Sequence, residues 1–273
     1  MKTKKSWLNG KTVLITGVTG GLGKALAKEL ITKYNANVIG IARNAEKMQK
    51  LECEISSKNF TSYLFDVSKN ANWIDFASKM AQKSQKIDIL INNAGVMPKF
   101  SRFESLDISV QENVIQTNLF SAVYSVYNLL PILKQSPCGG IVNIASACAF
   151  AAVIGTSMYS ASKAALKGFT DSIREENKNL YIAGVYPGFI KTELFRDGGL
   201  TKRMEKFASE PEKVATKILN KIHRKKKHIV VGADGKALSI FSKIMPKTIT
   251  PIISNFLTGS GEENFKGLQN GKK

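Results

Sequence analysis

Tyr159 and Lys163 stand four residues apart in the stretch Ser157-Met158-Tyr159-Ser160-Ala161-Ser162-Lys163. On a helix that spacing puts both side chains on one face, about one turn apart, so an ammonium can lie beside a phenol. A free phenol titrates at roughly 10, and a neighbouring positive charge favours the phenolate, drawing the pKa toward neutrality, where proton transfer is most effective. Tyr159 could then pass a proton to or from an oxygen. Both residue types are common on amphipathic helices, so the surroundings must decide between chemistry and coincidence. Before the pair, Ser146 ends the apolar run Ile141-Val142-Asn143-Ile144-Ala145. That run predicts a buried strand of a parallel sheet, and a hydroxyl at the carboxyl end of such a strand faces the ligand crevice.

A sheet of this kind needs a chain long enough to cover both of its faces. With 273 residues, 43% of them hydrophobic, the chain can bury one full core of the doubly wound α/β class. The run Thr12-Val13-Leu14-Ile15-Thr16 predicts the first strand; Gly17-Val18-Thr19-Gly20-Gly21-Leu22-Gly23 follows, opening a helix to about Lys33. Glycines at that junction allow a tight turn and let a pyrophosphate reach the helix N-terminus, where free N–H groups favour anions. A plain tight turn is the other reading.

The second predicted strand, Asn37-Val38-Ile39-Gly40-Ile41-Ala42, ends at Arg43-Asn44. An acidic residue there would suit the ribose hydroxyls of NAD, whereas the guanidinium of Arg43 suits the 2′-phosphate of NADP. Lys47 and Lys50 make the surface basic in any case, so a merely solvated arginine is the alternative. Residues 60–65 predict a third strand ending at Asp66-Val67, and residues 87–91 a fourth ending at Asn92-Asn93-Ala94-Gly95. Helical patterns between them, such as residues 70–85, call for a parallel sheet with helices on both faces. Polar residues at successive strand ends mark one crevice, with Asp66 able to accept from an adenine amino group.

From Thr12 to about Gly232 the chain resembles the short-chain dehydrogenase/reductases, in the subgroup with a Thr-Gly-x-x-x-Gly-x-Gly motif. Thr16-Gly17 through Gly21 and Gly23 matches the cofactor loop, with Thr19, Gly20 and Leu22 inside it. Asp66-Val67 matches the adenine contact, and Asn92-Asn93-Ala94-Gly95 the motif that stabilises the central strand. Asn118 in Thr117-Asn118-Leu119 matches the catalytic asparagine, followed by Ser146, Tyr159 and Lys163. Pro187-Gly188, with Ile190 and Thr192, matches the segment that closes over the nicotinamide. The resemblance implies that Tyr159 is the general acid or base and that Ser146 hydrogen-bonds the substrate oxygen. It further implies that Lys163 binds the nicotinamide ribose and lowers the tyrosine pKa, while Asn118 holds a water in a proton relay. An oxidoreductase is implied, moving a hydride between NADP(H), favoured over NAD(H) by Arg43, and a carbonyl or alcohol carbon. A homodimer or homotetramer is implied too, through the helices at residues 113–133 and after Tyr159, although periodicity alone cannot separate an interface from a core.

Residues 1–232 are thus expected to form the dinucleotide-binding and catalytic domain, with a lid at about 189–208 carrying Leu194, Phe195 and Met204. Met97, Phe100, Phe150, Val153 and Ile154 would wall an apolar substrate pocket. The three cysteines show no metal or redox spacing, no metal site is expected, and no signal-length apolar run follows the first residues. A cytoplasmic protein is the reading. The net charge of +19 raises the question of an anionic partner, with Lys213, Lys217 and Lys221 forming a basic stripe before Arg224-Lys225-Lys226-Lys227. No aromatics interleave with these lysines, which argues against nucleic acid. Residues 233–258 form an amphipathic extension, interrupted by Pro246 and Pro251 and edged by Lys236, Lys243 and Lys247. It suits packing against a partner subunit or as a lid on the pocket, or contact with a membrane surface, better than crossing a bilayer. Residues 259–273 read as a disordered tail. A non-catalytic NADP-binding regulator on the same fold is the rival reading, and a peripheral membrane protein a third.

Overall fold

The computed structural model describes residues 6–194 and 208–258. Seven parallel strands form one sheet in the order β3-β2-β1-β4-β5-β6-β7. They are β1 (Thr12–Thr16), β2 (Asn37–Ala42), β3 (Phe60–Leu64), β4 (Ile89–Asn92), β5 (Gly140–Ile144), β6 (Tyr181–Pro187) and β7 (His228–Val231). Because helices cover both faces, the inner strands β1, β4 and β5 are buried on both sides rather than alternating, and this is why they read as apolar runs, whereas edge strand β3 is mixed and half-exposed. Val13 and Ile15 of β1 enter one core, while Leu14 enters the other.

The first core is closed by α1 (Gly21–Tyr34), α2 (Ala45–Ile55) and α7 (Pro211–His223), which contribute Leu26 and Leu30, Met48 and Leu51, and Ile218 and Leu219. The second is closed by α3 (Asn70–Gln82), by α4 (Ile108–Ile115) running through a π-turn (Gln116–Phe120) into α5 (Ser121–Gln135), and by α6 (Ser157–Glu176). Trp73, Phe76, Leu129, Leu133 and Ile173 fill it. The helix expected over residues 113–133 therefore begins earlier and contains a π-turn, a local widening that apolar spacing does not reveal. Strand order reverses between β1 and β4, so a crevice opens at their carboxyl ends.

The extension consists of α8 (Ala233–Ile244) and α9 (Ile249–Thr258), with Pro246 between them and Pro251 in the first turn of α9, where its missing N–H costs nothing. Ile249 is buried, whereas Ile240, Phe241, Ile244, Met245 and Ile252 are exposed. No helix among the described residues is long and apolar enough to cross a membrane. The basic stripe is broken at Lys221, whose ammonium turns inward to donate to the Val230 carbonyl at 2.7 Å and is pulled below its ordinary pKa chiefly by burial. Most of the expected lid, residues 195–207, lies outside the described residues, as does the tail at 259–273.

Candidate active site

A cleft of about 440 Å3 runs along the carboxyl ends of the strands. Every residue expected to hold the cofactor lines it: Gly17, Thr19, Gly20, Gly21, Leu22 and Gly23; Arg43; Asp66 and Val67; Asn93, Ala94 and Gly95; Tyr159 and Lys163; Pro187, Gly188, Ile190 and Thr192. The glycine turn is held to β4 by the Thr16 hydroxyl, whose Oγ accepts from the Asn93 and Ala94 amides, both at 3.0 Å. Asn93 answers by donating to the Thr16 and Gly17 carbonyls at 3.0 and 3.1 Å. Gly17 has φ +64°, and a Cβ there would stand 2.9 Å from the Ala94 Cα, so two backbones meet where only glycine fits. The N-terminus of α1 has no side-chain cap and no acidic residue in its first turn, leaving its N–H groups and dipole for an anion. A dinucleotide fits this cradle.

At one end Arg43 is exposed beside Asn44, whose side chain caps α2 by accepting from the Lys47 amide at 2.8 Å. Lys47 itself reaches across the cleft to Glu193 at 2.6 Å. Asp66 is oriented by Ser68, which donates from its amide at 2.9 Å and from its hydroxyl at 2.8 Å. Thr192 lies over Gly21 at the start of α1.

At the other end Ser146, Tyr159 and Lys163 converge, all buried. The Lys163 ammonium donates to the Ile144 carbonyl at 3.1 Å and lies 5.7 Å from the centre of the Tyr159 ring. The expected depression of the tyrosine pKa is absent. Burial pushes the phenol above its ordinary value and outweighs the opposing hydrogen bond with Ser146. Burial likewise pulls the ammonium down, to about 8.

Asn118, in the π-turn, is buried behind this group. Its Oδ1 accepts from the Val96 amide at 2.7 Å; its amide donates to the Val96 carbonyl and to Ser162 Oγ, both at 3.0 Å. It thereby ties the end of β4 to α6 and stands one step away from the cleft. The apolar wall beside Tyr159 consists of Met97, Phe100, Val114 and Val153, joined by Cys148, Ile154, Phe189, Leu194 and Ile253 of α9. Phe150, expected in this wall, faces elsewhere, its ring 4.7 Å from Tyr186 and 5.6 Å from His228. Sequence spacing gave no sign that Lys47 and Glu193, 146 residues apart, would meet across the cleft.

Fold and cleft together define a nucleotide-binding α/β protein of the doubly wound class. The short chain dehydrogenase family model matches residues 11–202, and the chain belongs to that family. It is 32% identical over 234 residues to the NADPH-dependent pterin aldehyde reductase of Arabidopsis thaliana, covering 84% of this chain and 93% of the relative. It is 30% identical over 248 residues to the 3-ketodihydrosphingosine reductase of Bos taurus, covering 85% and 74%. Among solved structures, a short chain dehydrogenase from Burkholderia cenocepacia in complex with NADP superposes with a TM-score of 0.78 at 22% identity, covering 90% of this chain and 98% of that one. The chain is therefore an oxidoreductase of the short-chain dehydrogenase/reductase family.

Proposed function

We propose that this enzyme uses NADP(H) to reduce the carbonyl, or oxidise the alcohol, of an apolar small molecule. The observation that carries the reading is the convergence of Ser146, Tyr159 and Lys163 at one end of a cleft that has Arg43 at the other. The glycine loop and the start of α1 would hold the pyrophosphate, Arg43 the 2′-phosphate, Asp66 and Val67 the adenine, and Lys163 the nicotinamide ribose. Asn93, Ala94 and Gly95 would floor the cleft, and Pro187, Gly188, Ile190 and Thr192 would face the nicotinamide. When bound, the cofactor supplies or accepts the hydride at the substrate carbon.

The chain's own residues handle the oxygen. Ser146 Oγ would orient the carbonyl, and Tyr159 would donate its proton to the developing alkoxide. A buried phenol that keeps its proton near neutral pH is suited to act as that acid. With its pKa near 8, Lys163 stays largely protonated at pH 7 and would present that charge to the nicotinamide ribose. Asn118 would act as a positioning residue, holding the Val96 segment against the helix that carries Tyr159 and Lys163.

The apolar wall around Tyr159 supports an apolar substrate, and the two reductase relatives act, by their names, on an aldehyde and on a ketone. Exposed Phe120 of the π-turn and Tyr127 of α5 support the assembly of a homodimer or homotetramer through this continuous helix. Following NADPH absorbance across a panel of aldehydes, ketones and alcohols tests the reading. Turnover of apolar carbonyls is expected; tight NADPH binding with no turnover on any of them would leave a nucleotide-binding protein without reductase activity.

A further inference from the structure

The turn after β6 lines the nicotinamide end of the cleft, yet what holds it comes from the beginning of the C-terminal extension. Asp234 Oδ2 accepts from the Phe189 amide at 2.6 Å. The Gly188 amide donates to the Val231 carbonyl at 2.9 Å. A Cβ on Gly188 would fall inside the Asp234 carboxylate, and a Cβ on Gly235 would stand 3.0 Å from the Gly188 amide nitrogen. Gly232, at φ +96°, is what lets the chain turn out of β7 so that α8 starts with Asp234 pointing back at this turn. The absent side chain of Gly188 is therefore explained by the carboxylate that occupies its place.

Asp234 is partly buried, and its acceptor capacity is used on backbone N–H groups: those of Phe189, Gly235 and Asp234 itself. Burial pushes this carboxyl above its ordinary pKa, with those three donors pulling the other way. Beyond Phe189 the chain pairs briefly with Ser209, the Ser209 amide donating to the Phe189 carbonyl at 2.9 Å and the Lys191 amide to the Ser209 carbonyl at 3.0 Å. Ile190 and Thr192 then enter the cleft. One carboxylate thus anchors the start of the segment that closes the nicotinamide side.

We infer that Asp234 is a positioning residue that holds the Gly188–Phe189 turn for the nicotinamide half of the cofactor, and so makes the C-terminal extension part of the site. The inference rests on the NADP(H) reading above. It predicts a loss confined to one half of the dinucleotide, which an ordinary helix cap would not produce.

The test is equilibrium binding of two probes, NADPH and 2′,5′-ADP, to the parent, Asp234→Asn, Asp234→Ala, Gly188→Ala and the double variant Gly188→Ala/Asp234→Ala. Asp234→Ala should weaken NADPH about tenfold, the lower end of what a charge-assisted hydrogen bond contributes, while leaving 2′,5′-ADP within about twofold. Asp234→Asn keeps an acceptor oxygen and should recover most of the loss. Gly188→Ala should weaken NADPH at least as much, and the double variant should be no worse than Asp234→Ala alone, because the clash is then gone and the two changes are not additive. Equal weakening of both probes, or a double variant whose losses add, would overturn the inference and leave Asp234 as a cap of α8. A parent that binds neither probe would sink the NADP(H) reading instead, and thermal unfolding of each variant shows which of them are folded.

Discussion

On the β1–β4 side of the cleft, the groups that would meet the cofactor are backbone amides and short polar side chains at the ends of strands paired within the sheet. Four hydrogen bonds join Thr16 and Gly17 to Asn93 and Ala94 there, two of them between Thr16 and Asn93. On the β5–β7 side, the turn after β6 is held by Asp234, and the apolar wall takes Ile253 from α9. One side is thus rigid because the sheet is rigid; the other is only as well placed as the extension that packs on it. The first side would bind the part of the cofactor that any substrate shares, and the second meets the substrate.

The strongest test of this contrast is chemical. Tyr159→Phe removes only the hydroxyl, so NADPH affinity should survive while turnover falls by about 10² or more, the scale of lost general acid catalysis. Turnover within a few fold of the parent would rule out Tyr159 as the acid. Next comes the opposite end: Arg43→Ala should lower the ratio of kcat/KM for NADPH over NADH by about ten- to a hundredfold, as expected for loss of a charged phosphate contact. An unchanged ratio would make Arg43 a solvated surface residue.

Lys163 offers a stability measurement. Its folded pKa of about 8 lies below the ordinary lysine value of 10.5, so burying the ammonium is a cost that is complete below about pH 8 and disappears as pH rises toward 10.5. Stability from this group therefore increases with pH across that window, by on the order of 3 kcal/mol at most. Lys163→Met should raise Tm at pH 7 even as it abolishes useful turnover, and the gain should shrink toward pH 10.5. A lower Tm at pH 7 would show that the hydrogen bond to Ile144 outweighs the burial cost.

Removing residues 246–273 takes away α9 and opens the wall at Ile253. KM for an apolar carbonyl should rise by about tenfold, as for loss of one buried apolar side chain, with NADPH affinity within about twofold. Unchanged kinetics together with lost sedimentation on anionic vesicles would instead make the removed segment, with exposed Ile252 and Lys247, a membrane-facing surface. The smallest effect is expected where the two sides touch. Lys47 and Glu193 are both exposed, so Lys47→Ala should change stability by no more than about 1 kcal/mol by denaturant titration.

The strands, the glycine turn and the order of the site residues were readable from the chain because each is a local signal. Buried parallel strands are continuous apolar runs, and a cofactor loop needs its glycines next to the strand they follow. The spacing of Tyr159 and Lys163 likewise guaranteed one helix face. It could not say that the ammonium would settle over the ring and bond to Ile144, nor that burial would raise the phenol's pKa, because both depend on what surrounds α6. Nor could it show why position 188 is glycine. The carboxylate that fills that space belongs to Asp234, 46 residues later, and only the turn at Gly232 brings it there. Phe150 left its expected place for the same reason: an apolar side chain goes wherever packing removes it from water, and periodicity does not say which of several apolar surfaces will be closest.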